Sequence, residues 1–187
     1  MSLSAIVKTG TLALLHLPHV VPDEHMKTIE DINVNRLFAE GYRYALIDWE
    51  GTVAQYRGFD LSYSRSKLAY MRREGFEMCI LSNCSEQQKK GMEASLNSEG
   101  LDIKVHRAFP EKKPFWGAYY GAMALIGASP EKTVFIGDRI LTDVLGANLA
   151  GLYSIHVTGY PENDSAGIRL AKKMDNALWY AGGLLKR

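Results

Sequence analysis

The chain has 187 residues, 47% of them apolar and 23% charged, and a formal net charge of +1. That length suits one domain with a full core, and the near-zero charge gives no global pull toward nucleic acid. Two cysteines, Cys79 and Cys84, are too few for a disulfide scaffold. No run is long enough to span a bilayer, and TLALLHLPHVV lacks the cationic start and cleavage site of a secretory signal, so a cytoplasmic chain with reduced thiols is expected.

In chain order, a lead-in over 1–40 precedes the first strong apolar run, YRYALID at 42–48. Further runs follow at 76–83, 133–138 and 152–157, with a weaker one, IKVHRAF, at 103–109. Near-continuous apolar runs of this length suit strands buried on both faces, as in a parallel sheet. Helical spacing fills the gaps at 64–75, 85–100, 115–127 and 142–151, with Ser85 as a cap and Gly75 and Gly100 as stops. Alternation of strand and helix predicts a doubly wound, Rossmann-like α/β fold with a five-stranded parallel sheet. Ligands of such folds bind at the carboxyl ends of the strands, which here carry Asp48, Ser82, Asn83 and Asp138.

Four segments carry chemistry. In Asp48-Trp49-Glu50-Gly51-Thr52, residues two apart on an extended chain point the same way. Asp48 and Glu50 can therefore face one site, one as a nucleophile toward phosphorus and the other as a proton donor and acceptor. In Leu81-Ser82-Asn83, a hydroxyl beside a helix start can bind a phosphate oxygen. In Lys112-Lys113-Pro114, a lysine can neutralise the transferring group, with Pro114 expected at the first helical position. In Gly137-Asp138-Arg139-Ile140-Leu141-Thr142-Asp143, two carboxylates straddle a strand end and a helix start. With Asp48 and the Glu50 backbone carbonyl they would suit Mg2+, which prefers oxygen ligands.

DWEGT, LSN, KKP and GDRILTD stand in the order and approximate spacing of the four haloacid dehalogenase (HAD) motifs, and the chain resembles that superfamily. Residues 17–48 and 134–157 look like subfamily IIIA, the phosphatases related to phosphatidylglycerophosphate phosphatases. The resemblance implies Asp48 as nucleophile, Ser82 and Asn83 as phosphate ligands, Lys113 (with Lys112 as understudy) as the stabilising cation, and Asp48, Glu50, Asp138 and Asp143 around Mg2+. It further implies a phosphorylated substrate, with a phospholipid among the candidates. One position departs: the family's second carboxylate is normally Asp and here is Glu50. The longer arm keeps the chemistry but changes the reach, and a displacement near 1 Å can cost about a hundredfold. A weakened, phosphate- or Mg2+-binding protein acting through a partner therefore stays open beside a phosphatase on lipid, protein, sugar or nucleic-acid phosphate. Trp49 is read as packing or as a reshaped pocket.

The gaps between motifs leave no room for an inserted cap domain, which predicts an open site, or one closed by a second subunit. The tail over 166–187 sets Ile168, Met174, Leu178, Trp179 and Leu184 among cationic residues. It suits either an interfacial helix at the inner face of an anionic membrane or a helix docked on the domain or in a dimer interface.

Overall fold

The computed structural model describes residues 11–159 and 166–185. The first ten residues of the lead-in and the last two of the tail lie outside the described residues. Strands and helices alternate as β1 (Glu24–Met26), α1 (Val34–Ala39), β2 (Tyr44–Ile47), α2 (Arg65–Arg73), β3 (Glu77–Ser82), α3 (Glu86–Ser98), β4 (Lys104–Arg107), α4 (Trp116–Ile126), β5 (Thr133–Gly137), α5 (Leu145–Leu149), β6 (Tyr153–Val157) and α6 (Ala166–Leu185). The strands form one parallel sheet in the order β1-β6-β5-β2-β3-β4. This is the Rossmann-like α/β arrangement the alternation predicts, and no cap domain interrupts it among the described residues.

Alternate side chains of the central strands serve two cores, which is why their sequences are apolar without a break. Ala45, Ile47, Met78, Ile80, Val134 and Ile136 face one layer with Trp49 and Phe76. Leu46, Cys79, Leu81 and Phe135 face the other with Tyr119 and Met123 from α4. Ile47 lies level with Ile80 on one side and Ile136 on the other. The register thus delivers Asp48, Ser82 and Asp138 to the same edge of the sheet.

Three expectations need correction. The sheet has six strands rather than five: β1 comes from the lead-in, where Glu-His-Met is short, partly exposed and bonded only to β6. A strand made by edge pairing leaves no apolar run to read. Pro114 does not start a helix; α4 begins at Trp116 with Phe115 as its cap residue. The run over 142–151 is helical as expected, but it starts earlier and opens as a π-helix, Ile140–Val144, before the short α5.

The tail forms the twenty-residue α6. It is docked on the domain: Asp175 and Gly182 are buried, and a Cβ at Gly182 would stand 2.5 Å from the Leu17 carbonyl oxygen. Glycine there lets α6 lie directly against the 3-10 turn Leu17–Val20. No helix among the described residues is long and apolar enough to cross a membrane.

Candidate active site

Asp48 leaves the end of β2 with its backbone N–H donating to the Ile136 carbonyl, which anchors it beside β5. The chain then turns sharply. Gly51 has φ +79°, and its N–H donates to the Ala54 carbonyl at 2.7 Å. A side chain at Gly51 would overlap the Asp138 carboxylate, so the turn and the end of β5 can approach only because the residue is glycine. Trp49, 1% exposed, packs in the core, and its indole N–H donates to the Gly58 carbonyl at 2.9 Å. This residue braces the turn rather than lining the cavity at Asp48.

Asp48, Glu50, Ser82, Asn83, Lys113, Asp138 and Asp143 all line one cavity of about 200 Å³. All seven residues expected from the sequence therefore meet, and Lys112 is exposed outside the group. Lys113, 4% exposed, is paired with Asp48 and with Asp143 Oδ1 at 2.8 Å. Asp143 Oδ2 accepts from the Arg139 backbone N–H at 3.0 Å. Asn83 is used differently from the expectation. Its Oδ1 accepts from the Lys113 N–H at 2.8 Å and its Nδ2 donates to the Lys113 carbonyl at 3.2 Å. With both ends of the amide engaged, Asn83 holds the lysine loop to the end of β3. Glu50 Oε1 accepts from the Arg57 backbone N–H at 3.2 Å, so its longer arm is tied to the far side of the 51–58 turn.

Three carboxylates this close repel and are costly to bury. Burial pushes Asp48 up to about 7 despite the pull of Lys113. Burial, with the Asp48 charge adding, pushes Asp138 up to about 8. Burial alone would lower Lys113, but Asp143 and Asp48 hold it above its ordinary value. Asp48, Asp138 and Asp143 each offer an oxygen within 4.8 Å of the others, and buried Asp138 Oδ1 has no hydrogen-bond partner among the described residues. A hard, oxygen-seeking dication fits this donor set.

Several residues here escaped the sequence analysis. Lys172 of α6 places Nζ 3.0 Å from Asp138 Oδ2. Asp175 of α6 takes the Arg139 Nε–H at 2.6 Å and the Ile140 N–H at 3.2 Å on one oxygen. Tyr119 donates its hydroxyl to the Thr142 carbonyl at 2.5 Å, supporting the turn that carries Asp143. Tyr56 lines the cavity, its phenol pushed up to about 12 by burial and by Asp138. His156 Nε2 lies 3.1 Å from the Asp138 backbone carbonyl, and its Nδ1 lies 2.9 Å from Nδ1 of His25. Burial lowers His156 to about 4. A carbonyl only accepts, so neutral His156 donates from Nε2, accepts at Nδ1 from His25, and leaves His25 Nε2 as an acceptor. No motif marks these residues: Lys172 and Asp175 come from α6, His25 from the edge strand β1, His156 from β6, Tyr119 from α4 and Tyr56 from the turn after Asp48.

A family model described as HAD-hydrolase-like matches residues 111–169, the stretch holding Lys113, Asp138 and Asp143. The chain is 27% identical over 162 residues to the "Probable phosphatase YqeG" of Bacillus subtilis, covering 84% of this chain and 88% of that one. It is 29% identical over 106 residues to the "Probable phosphoglycolate phosphatase" of Pseudomonas putida, covering 51% of this chain and 39% of that protein. Among solved structures, an uncharacterized protein from Corynebacterium glutamicum superposes with TM-score 0.51 and 22% identity, over 75% of this chain and 96% of that one.

Proposed function

We propose that this chain, an HAD-like phosphatase, hydrolyses a phosphomonoester through a covalent phosphoryl-Asp48 intermediate with Mg2+ as cofactor. The single observation that carries the mechanism is the buried Asp48–Lys113–Asp143 group beside Asp138, placed at the carboxyl ends of β2 and β5. In the first step an Asp48 carboxylate oxygen bonds to phosphorus while the bond to the alcohol oxygen breaks, and Glu50 gives that oxygen its proton. In the second, Glu50 as carboxylate takes a proton from a water whose oxygen bonds to phosphorus. The bond to Asp48 breaks, its electron pair returns to the carboxylate, and inorganic phosphate leaves. Lys113 favours the ionised form of Asp48 and opposes the charge on the equatorial oxygens, and Ser82 offers a hydroxyl to one of them. Asp48, Asp138 and Asp143 would hold Mg2+, which supplies charge neutralisation between the nucleophile and the phosphoryl group.

The narrower candidate substrate, phosphatidylglycerophosphate, rests on the likeness of residues 17–48 and 134–157 to subfamily IIIA, and peripheral membrane contact would follow from it. The reading as a weakened binding protein is favoured only by Glu50, whose carboxylate is tied to Arg57. Labelled acetyl phosphate decides between catalysis and binding. Acid-quenched wild-type protein should retain label and turn over with Mg2+. Asp48→Asn, or excess chelator, should abolish both. Label retained on Asp48→Asn would remove Asp48 as the nucleophile.

A further inference from the structure

A second cavity borders the site, of about 540 Å³, lined by His25, His156, Thr158, Lys172, Trp179 and Leu184 among others. It adjoins the catalytic cavity through Asp138, which lines both. It lies beside the carboxyl-terminal halves of β6 and β1, which contribute His156 and His25, and α6 forms its far wall. The two features that five strands alone would not supply, the edge strand β1 and the docked α6, are the ones that build it.

Its chemistry is specific. The Trp179 ring lies 4.9 Å from the His25 ring and 5.5 Å from the His156 ring, centroid to centroid, giving an aromatic corner extended by Tyr180 and Leu184. Both lining ions of α6 already have partners: Lys172 pairs with Asp138 and Asp175 with Arg139. The polar groups left for a ligand are the His25 imidazole, the Thr158 hydroxyl and the Asn176 amide. A volume in the range of small-molecule sites, mostly apolar with a few convergent polar groups, is the expected form of a binding pocket.

We propose that this cavity is the leaving-group subsite of the enzyme: it takes the alcohol part of the phosphomonoester, an uncharged group with a flat apolar face for Trp179 and a polar atom for His25. The inference rests on the phosphatase reading of the Asp48 site. It disfavours leaving groups that carry a second phosphate, and so counts against phosphatidylglycerophosphate itself, because no unpaired cation lines the cavity among the described residues.

Gly183 provides the test. It lines the cavity, and a Cβ built there meets nothing within 4 Å, so Gly183→Leu starts its side chain in open space and improves helix propensity. Leu184→Trp, at an exposed residue on the same wall, fills it independently. Both variants and the wild type would be assayed with Mg2+ on acetyl phosphate, whose leaving group is small, and on 2-naphthyl phosphate. The expected result is unchanged kcat/KM for acetyl phosphate with a KM for 2-naphthyl phosphate raised about tenfold or more in both variants. Wild-type protein inactive on both substrates would overturn the phosphatase reading itself. Active wild type with both filling variants unchanged on 2-naphthyl phosphate, or slowed equally on both substrates, would overturn the subsite alone.

Discussion

Lys113 sits between Asp48 and Asp143 with only 4% of its surface exposed, so its removal and that of Asp48 should differ sharply in stability. Asp48→Asn deletes one buried negative charge whose burial is unfavourable and leaves Lys113 paired with Asp143. That variant should melt at or above the wild-type temperature while inactive. Lys113→Met leaves the carboxylates without their shared cation and should destabilise by about 3 kcal/mol, the usual result of breaking a buried pair. Thermal melts of both, in chelator, check the contrast; a lower melting temperature for Asp48→Asn would mean the ion pair contributes net stability. Glu50 poses a different question. Glu50→Gln should lower turnover by about a hundred- to ten-thousandfold if its carboxyl transfers the proton. Glu50→Asp shortens the arm and forfeits the contact to the Arg57 N–H. It should raise turnover if length is a defect, and lower it if the 51–58 turn is built around glutamate. Equal activity of wild type and Glu50→Gln would take proton transfer away from this residue.

At the scale of elements, α6 is bound to the site through its ions as much as through its apolar face. Asp175 is 2% exposed and closes the pair with Arg139 at 2.6 Å. Asp175→Ala strands a largely buried guanidinium, and the expected loss is about 3 to 5 kcal/mol. The double variant Asp175→Ala/Arg139→Met should recover much of it, measured by denaturant unfolding. No recovery would assign the loss to packing of α6 instead. These contacts also explain what the sequence conceals. β2, β3, β5 and β6 are legible because both faces are largely buried and most of their residues are apolar, and Asp48 and Asp138, just past the ends of β2 and β5, stand out against that background. β4 is legible only weakly, since its burial is uneven. β1 owes its strand form to pairing with β6, and Lys172 and Asp175 owe their roles to where a twenty-residue helix lands. The choice between a membrane-facing and a docked helix could not be made from amphipathicity, because both place apolar residues on one side. Buried Asp175, a charge inside that apolar side, is the discriminating feature, and its partner lies 36 residues away in sequence.

At the scale of the whole molecule, a chain of net charge +1 concentrates three carboxylates at one strand edge, and folding must bear their repulsion unless a cation or protons relieve it. The sign of the pH dependence follows. Asp48 and Asp138 rise from an ordinary 3.8 to about 7 and about 8 in the folded chain. Between about pH 4 and pH 8 the metal-free folded state therefore holds more protons than the unfolded state, and its stability falls as pH rises. A raised carboxyl is a group whose charged form the fold disfavours, the reverse of a salt-bridged surface acid. Mg2+ bound by these residues must displace the same protons. Each unit of pH within the window should then strengthen apparent Mg2+ affinity by about tenfold for each proton displaced. Melting in chelator should show a declining midpoint from pH 5 toward pH 8, and the gap between Mg2+-loaded and chelated protein should widen over the same interval. Titration calorimetry in two buffers of different ionisation enthalpy should report proton release on Mg2+ binding at pH 6. Asp138→Asn should reduce both the release and the widening. A constant gap across the interval, with no proton released, would mean that these carboxylates are already ionised in the folded chain and that Lys113 and Lys172 suffice to offset their charge.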